Sequence, residues 1–374
     1  MSSLRIGVLG VLPTESGGAG TLTQRMLLEL IESSKHDSLI YISDSKNLFK
    51  RFFAFLRDIF ISNSMVKFFA DKYGVKLCSS LDRKFIKDKL DLVFFFSYNP
   101  KAELINFTPF VVSVWDLGHL EYPFLVETGL GKEFIARENY YQSVLKRAYS
   151  VLVESEHTRN ALKENYGIRP EKILVMPFAP EVPSCTSMRV HEGYLFYPSH
   201  YWSHKNHVVL LRALRLAKQR YKGYRKLVFS GLDKGNLGFL SEFILEHNLD
   251  DDVIFAGFLS ADDLEHYFQG AYAILYPSIL GPTNLPPLEA LLRNRPVIAS
   301  SISVVGMPSY PFTVVANYND PESWIPFFDS SKNIEFRVDP NLIQNKVHSI
   351  RDSNIASFSQ LLFNLRQLKM LSTH

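Results

Sequence analysis

Glu289 is the first side chain in this 374-residue sequence whose type and setting suggest chemistry. It follows two prolines in YPSILGPTNLPPLEALL. The apolar run Ala271 to Tyr276 reads as a buried strand, and Gly281, Pro282, Pro286 and Pro287 forbid its continuation. Pro286 and Pro287 suit a first helical turn, where φ is preset and the missing N–H would have no partner. A helix from about Leu288 then holds Glu289 in its first turn. The helix start, entered through Gly281, Thr283, Asn284 and Leu285, offers N–H groups to a phosphate or pyrophosphate. Glu289 would repel that anion. Its carboxylate is suited instead to accept hydrogen bonds from the hydroxyls of a sugar or ribose, or else it only complements the helix dipole.

Asp116 and His119 stand just past the apolar run FVVSVW, and in open α/β sheets functional groups gather beyond the carboxyl ends of strands. The His119 imidazole titrates near neutral pH and could orient or deprotonate a hydroxyl; a structural loop histidine is the other reading. Gly17, Gly18 and Gly20 in PTESGGAG follow the apolar run Leu4 to Leu12 and would let backbone approach a ligand closely. They lack the full G-x-G-x-x-G fingerprint, so a tight strand-to-helix turn stays open. His200, His204 and His207 lie together in HYWSHKNH, but no carboxylate or cysteine accompanies them at metal-ligand spacing. Lys205 among them reads, from residue type alone, as a surface lysine.

The run Leu285, Pro286, Pro287, Leu288, Glu289, Ala290 resembles the second half of a signature of retaining GT-B glycosyltransferases, in particular glycosyltransferase family 4. That signature sets two glutamates around G-x-P-x-x-E-A. Gly281 occupies the place of the first glutamate, and this Gly-Pro-Thr-Asn variant resembles a branch found in O-antigen and capsule assembly. The resemblance gives roles to further residues. Lys205, five positions after His200, would neutralise the diphosphate of a nucleotide sugar as the glycosidic bond breaks. His200 stands where the family carries arginine and could donate a single hydrogen bond in place of a fork. Gly17 and Gly18 would face the donor sugar and phosphates, while Gly257 and Phe258 lie where the family binds the nucleobase through backbone groups. Trp115 to His119 is similar to the family's His-Asp-Leu-x-His segment, with Trp115 replacing a histidine.

By this resemblance the chain is an α/β protein of GT-B type, two doubly wound Rossmann-like domains facing each other across a cleft. It would transfer a sugar, with retention, from a nucleotide diphosphate sugar to the hydroxyl of a glycan or lipid-linked glycan in bacterial surface polysaccharide assembly. No Asp-x-Asp segment follows a strand, so neither a metal nor another cofactor is expected. The rivals are a nucleotide-sugar epimerase of the same fold, and a non-catalytic scaffold made credible by Gly281 and His200 at usual donor positions.

Such residues need strands that end beside them. GYLFYPS, KLVFSG, DVIFAGF, AYAILY and PVIAS alternate with helical patterns, which implies a parallel sheet. Earlier, LRIGVLGVLP, LVFFF, FVVSVW, SVLVE and KILVMP do the same, with Ser155 and Gly167 as caps of one helix. Pro177, Pro180 and Pro183 with Ser184 and Ser187 mark a linker near Phe178 to Arg189. The expected domains are residues 1–180 on the acceptor side, residues 190–330 for the nucleotide sugar, and a helical segment 331–374 that crosses back to the first domain.

With 46% hydrophobic and 21% charged residues the composition is that of a soluble globular protein, and the net charge of +3 is too small to imply nucleic acid. Cys78 and Cys185 are too few for a disulfide framework. The opening LRIGVLGVLP is too short for a signal peptide or membrane span, so a cytoplasmic location is expected. Lys46 to Lys89 departs from this balance: eleven Lys or Arg against four acids give it +7. Phe49, Phe52, Phe53, Leu56 and Phe60 recur at helical spacing beside Lys50, Arg51 and Arg57. That pattern fits peripheral binding to an anionic membrane at the inner face of the plasma membrane, and equally a domain face whose phenylalanines are core.

Overall fold

Apolar runs without polar interruption make strands buried on both faces, which requires parallel sheets covered by helices on either side. The computed structural model, which describes residues 3–13, 16, 18–35, 37–42, 76–78, 90–105, 108–125, 127, 131–183, 193–280, 285–300, 313–315, 317–333 and 339–371, contains two such sheets. The longer helices among these residues are α1 (Gly18–Ser33), α2 (Lys132–Val144), α3 (Glu156–Tyr166), α4 (His207–Arg220), α5 (Leu237–Glu246), α6 (Ala261–Gly270), α7 (Leu285–Leu292) and α8 (Pro340–Leu371). None is long and apolar enough to cross a membrane. Two compact units divide the chain: residues 1–115, 135–179 and 349–374 form one, residues 116–134 and 180–348 the other. Residues 116–134, expected with the first domain, group with the second unit.

The first unit holds β1 (Arg5–Leu9), β2 (Ser38–Ile42), β3 (Lys76–Cys78), β4 (Leu92–Phe95), β5 (Phe110–Val114), β6 (Ser150–Val153) and β7 (Ile173–Val175). All pair in parallel, in the order β3-β2-β1-β4-β5-β6-β7. Leu92, Val93, Phe94 and Phe95 are wholly buried in the centre of that sheet, each contributing about 1.5–3 kcal/mol. The winding direction reverses between β1 and β4. There Gly10, at φ 74°, lets the two strand ends meet, since a Cβ on it would stand 2.6 Å from Ser97 Oγ and 2.8 Å from Ser97 N. Helix α1 begins at Gly18, earlier than the sequence suggests, so Gly18 and Gly20 are helical residues and not loop. The cause is a clamp: Thr23 Oγ1 accepts from Leu12 N at 2.9 Å and Gln24 Nε2 donates to Leu12 O at 3.2 Å, fastening the loop to the helix. Gly17 lies outside the described residues, as does Lys46 to Lys89 apart from the β3 backbone.

Residues 349–371 of α8 pack on this unit. Phe358 sets its ring edge to Phe94 at 5.6 Å, and Asn354 Nδ2 donates to the Glu29 carboxylate at 3.2 Å and to Pro177 O at 2.9 Å. Arg366 pairs with Asp37 and Arg351 with Glu32. A cleft of about 790 Å³ opens in this unit beside Phe110, Ser150 and Leu174. It lies near the amino ends of β5 and β6, opposite the strand ends where α/β chemistry gathers. Its cations are committed, because Lys172 Nζ donates to the Lys146 and Ala148 carbonyls at 3.0 and 2.8 Å and Arg147 to those of Glu103 and Ile105.

The second unit is built on β8 (Tyr194–Pro198), β9 (Leu227–Ser230), β10 (Val253–Phe255), β11 (Ala271–Tyr276), β12 (Val297–Ser300) and β13 (Thr313–Val315). They too are parallel, ordered β10-β9-β8-β11-β12-β13, with every residue of β11 buried. Helix α7 starts at Leu285, three residues before the sequence expectation, which moves Glu289 into its second turn. Pro286 and Pro287 occupy its second and third positions, where no intrahelical acceptor exists for an N–H. The prolines are thus tolerated. The same fact removes two of the donors that the helix start was expected to offer an anion.

Candidate active site

In the second sheet β8 and β11 are neighbours although β9 and β10 lie between them in sequence. Where strand order reverses in this way, the crevice outside the carboxyl ends of the two strands is the usual ligand position of a doubly wound sheet. Lys205 lies there. Its loop leaves β8, makes a single 3₁₀ turn over Ser203–Lys205, and enters α4. The ammonium donates to Tyr276 Oη at 3.1 Å at the end of β11, with Ser278 Oγ at 3.5 Å and the Tyr276 ring centre at 5.4 Å. These partners are neutral, and among the described residues no carboxylate pairs with Lys205. Its charge therefore remains available to an incoming anion.

The loop is fixed from several sides. Tyr197 Oη donates to the Lys205 carbonyl at 2.9 Å, and Ile279 N donates to the His204 carbonyl at 2.8 Å. Asn206 takes the left-handed conformation at φ 55° between the 3₁₀ turn and α4, a place where asparagine is among the few tolerable residues. Its Nδ2 donates to Pro277 O at 3.3 Å and Tyr318 O at 2.9 Å. Ser278 Oγ donates to Leu280 O at 2.7 Å, and Ser300 Oγ to Ser278 O at 2.9 Å, tying the β11 and β12 ends into the same knot.

The three histidines of this loop do three separate jobs. His200 Nδ1 accepts from Leu232 N at 2.9 Å, which places the proton of the neutral ring on Nε2. That Nε2 is buried without a partner among the described residues. Burial, with Lys234 and Lys205 adding to it, holds the His200 pKa below the ordinary histidine value. His204 is held by Glu127. His207 is wholly buried among Tyr197, Tyr201 and Phe229 at ring distances of 4.6, 5.1 and 5.1 Å, and burial pushes its pKa down to about 3. No group of three or more potential metal ligands occurs among the described residues.

His200 also stacks on Phe258, with ring centres 6.2 Å apart and planes at 29°. Phe258 is half exposed, and the Gly257 carbonyl accepts from Gly231 N at 2.8 Å. At φ 150°, Gly231 makes the approach possible, because a Cβ there would fall 2.5 Å from Ser199 O. His200, Gly257 and Phe258 are thus brought together.

Glu289 is placed differently. Its charged neighbours are Arg293 and Glu265, which pair with each other at 2.7 Å, while Arg293 Nη1 donates to the Glu289 carbonyl at 2.8 Å. Burial raises the Glu289 pKa, Arg293 opposes the shift, and Glu265 adds to it. No contact among the described residues links Glu289 to Lys205. Gly281, Thr283 and Asn284 lie outside the described residues.

Asp116 Oδ1 accepts from Gly118 N at 2.8 Å, and Gly118 packs against Leu280, so the 116–119 loop abuts the β11 end. His119 is completely buried with its ring 5.6 Å from Phe134.

Sequence reasoning missed Glu127, Asn206 and Tyr276. Asn206 carried a legible signal, an asparagine directly before a helix. Glu127 carried none, since its partner is 77 residues away.

The crystal structure of a glycosyltransferase from Rickettsia africae ESF-5 aligns with a TM-score of 0.60 and 17% identity, covering 97% of this chain and 99% of that one. Anabaena Alr3699/HepE in complex with UDP and glucose aligns with a TM-score of 0.58 and 14% identity over 99% and 100% of the two chains. The fold is GT-B. Within that GT-B chain, residues 188–308 match the family model of glycosyl transferases group 1. The O-antigen chain mannosyltransferase RfbU of Salmonella typhimurium is 27% identical over 191 residues, 51% of this chain and 52% of that protein. The chain spans about half the length of this curated relative. Lys205, His200, Gly257, Phe258 and Glu289 lie inside the matched family segment; Gly17, Gly18, Asp116, His119 and Glu127 lie outside it.

Proposed function

We propose that this protein is a retaining, metal-independent glycosyltransferase of family 4 type. It moves a hexose from a nucleotide diphosphate sugar to a hydroxyl of a lipid-linked glycan in bacterial O-antigen or capsule assembly. The observation that carries the reading is Lys205: an ammonium with only neutral partners at the switch point of the second sheet, inside the segment that matches glycosyl transferases group 1. Charge develops on the leaving diphosphate as the glycosidic bond breaks, and a fixed cation there stabilises the transition state more than the ground state. His200 Nε2 donates a second contact to the same group. Because Pro286 and Pro287 remove two donors from the α7 start, the charge rests mainly on Lys205, with the 281–285 backbone assisting.

Gly257 and Phe258 hold the nucleobase, Gly17 and Gly18 face the donor sugar and phosphates, and the Glu289 carboxylate accepts from sugar hydroxyls. Asp116 serves the acceptor side, and the wholly buried His119 supports its loop. The basic segment Lys46 to Lys89 draws the protein to an anionic membrane, as a peripheral protein on the cytoplasmic face. The mannosyltransferase named above supports a hexose donor, and the UDP and glucose in the HepE structure support a nucleotide sugar.

The test is a thermal-shift screen of UDP-, GDP-, ADP- and dTDP-sugars in EDTA, followed by acceptor-dependent nucleoside diphosphate release and NMR of the product anomer. A donor present at about 100 times its Kd stabilises by about 2.7 kcal/mol. Release that depends on acceptor, persists in EDTA and gives a product with the donor's anomeric configuration is expected. Activity that vanishes in EDTA and returns with magnesium or manganese overturns the charge assignment, and interconversion of donor sugars without acceptor points to an epimerase.

A further inference from the structure

Segment 116–134 leaves the first sheet after β5 but groups with the second unit, and it brings one carboxylate to the loop that carries Lys205. Glu127 Oε1 accepts twice from the same residue, from the His204 backbone N at 2.5 Å and from its ring Nδ1 at 2.6 Å. Both side chains are nearly enclosed, His204 at 14% and Glu127 at 8% exposure. A carboxylate so placed fixes the backbone and, by taking the Nδ1 proton in a hydrogen bond, also fixes the ring tautomer with Nε2 bare. The next residue is Lys205, and the His204 carbonyl is already held by Ile279 N. His204 is thus held at its N–H, its ring and its carbonyl, immediately before the ammonium that reaches Tyr276.

We propose that Glu127 is a positioning residue of the donor site, acting through His204 to hold Lys205 at the β8–β11 crevice. The inference rests on the transferase reading of Lys205 and adds to it a residue outside the matched family segment. Burial works against a charged Glu127, but the two His204 hydrogen bonds outweigh it and hold the carboxyl below its ordinary value, so the clamp is a carboxylate at neutral pH. Burial and Lys205 both keep His204 from charging, and Glu127 and Asp116 work in the other direction; the net direction is a neutral ring that donates from Nδ1.

The experiment is calorimetric titration of the full-length protein with UDP and GDP in EDTA, for wild type, Lys205→Ala, Glu127→Ala, Glu127→Gln and the double variant Glu127→Ala/Lys205→Ala. Whichever nucleotide binds the wild type should bind Lys205→Ala and Glu127→Ala about tenfold more weakly or worse, and the double variant no more weakly than Lys205→Ala alone. Glu127→Gln, whose amide oxygen can still accept from both nitrogens, should recover most of the loss. Imidazole ¹⁵N spectra should show an Nδ1-protonated ring for His204 in the wild type and a mixture of tautomers in Glu127→Ala. Additive losses in the double variant, or unaltered binding by Glu127→Ala while Lys205→Ala binds weakly, would overturn this inference alone. Unaltered binding by Lys205→Ala would overturn the reading of Lys205, and this inference with it.

Discussion

Asn206 shows how much a single residue position can decide. Its backbone sits at φ 55°, and its side chain is buried with hydrogen bonds to two carbonyls from different loops. Alanine there meets the left-handed penalty of about 1–2 kcal/mol and also leaves the Pro277 and Tyr318 carbonyls without this donor, the first of them buried. Glycine removes the hydrogen bonds but adopts the conformation freely. Asn206→Ala should therefore lower the thermal midpoint of the second unit more than Asn206→Gly, by about 1 kcal/mol or more in denaturant titrations. Equal destabilisation by the two would mean that the left-handed backbone contributes nothing. Lys205 stands next to this residue, so both variants should also weaken nucleotide binding.

At the scale of elements, what could be read in advance was whatever depends on local sequence. Ser155 accepts from Thr158 N at 3.1 Å and Gly167 ends α3 at φ 63°, as their types suggested. The strand Ala271–Tyr276 was legible from six apolar residues, because a strand buried on both faces leaves a continuous run. Two helix starts came earlier than read. The α1 start depends on Thr23 and Gln24 reaching back to Leu12, a contact that propensity does not encode. The α7 start admits prolines at its second and third positions, inside the first turn that their types suit, and so lies three residues before Leu288. The site divides along the same line. Lys205 was legible through its motif, but the Glu127 clamp joins residues 77 apart and exists only once the chain has folded. Glu289 was legible as a residue, yet its neighbours Arg293 and Glu265 give it a setting that spacing alone did not show.

For the whole molecule, the two units carry buried titratable groups with opposite consequences. In the second unit His207 has a folded pKa of about 3, so between that value and the ordinary 6.5 the unfolded chain binds the extra proton. Its contribution is fully present above pH 6.5 and is lost as pH falls, by about 2 kcal/mol between pH 7 and pH 5. In the first unit burial raises Glu29 from 4.5 to about 7, against the opposing Asn354 hydrogen bond, so there the folded chain binds the extra proton. Its contribution is present below pH 4.5 and is lost as pH rises toward 7, by up to about 3 kcal/mol. Thermal midpoints measured across pH should show Glu29→Gln removing the loss toward neutral pH and His207→Phe removing the loss toward acid; a variant that leaves its own arm of the profile unaltered would contradict the burial assigned to that group. The central claim, that Lys205 neutralises the leaving diphosphate, is tested most directly by steady-state turnover of Lys205→Ala with the donor that gives acceptor-dependent release. The account predicts a fall of about a hundredfold, corresponding to about 3 kcal/mol of lost transition-state stabilisation, with an unaltered melting profile. Turnover equal to that of the wild type would contradict it.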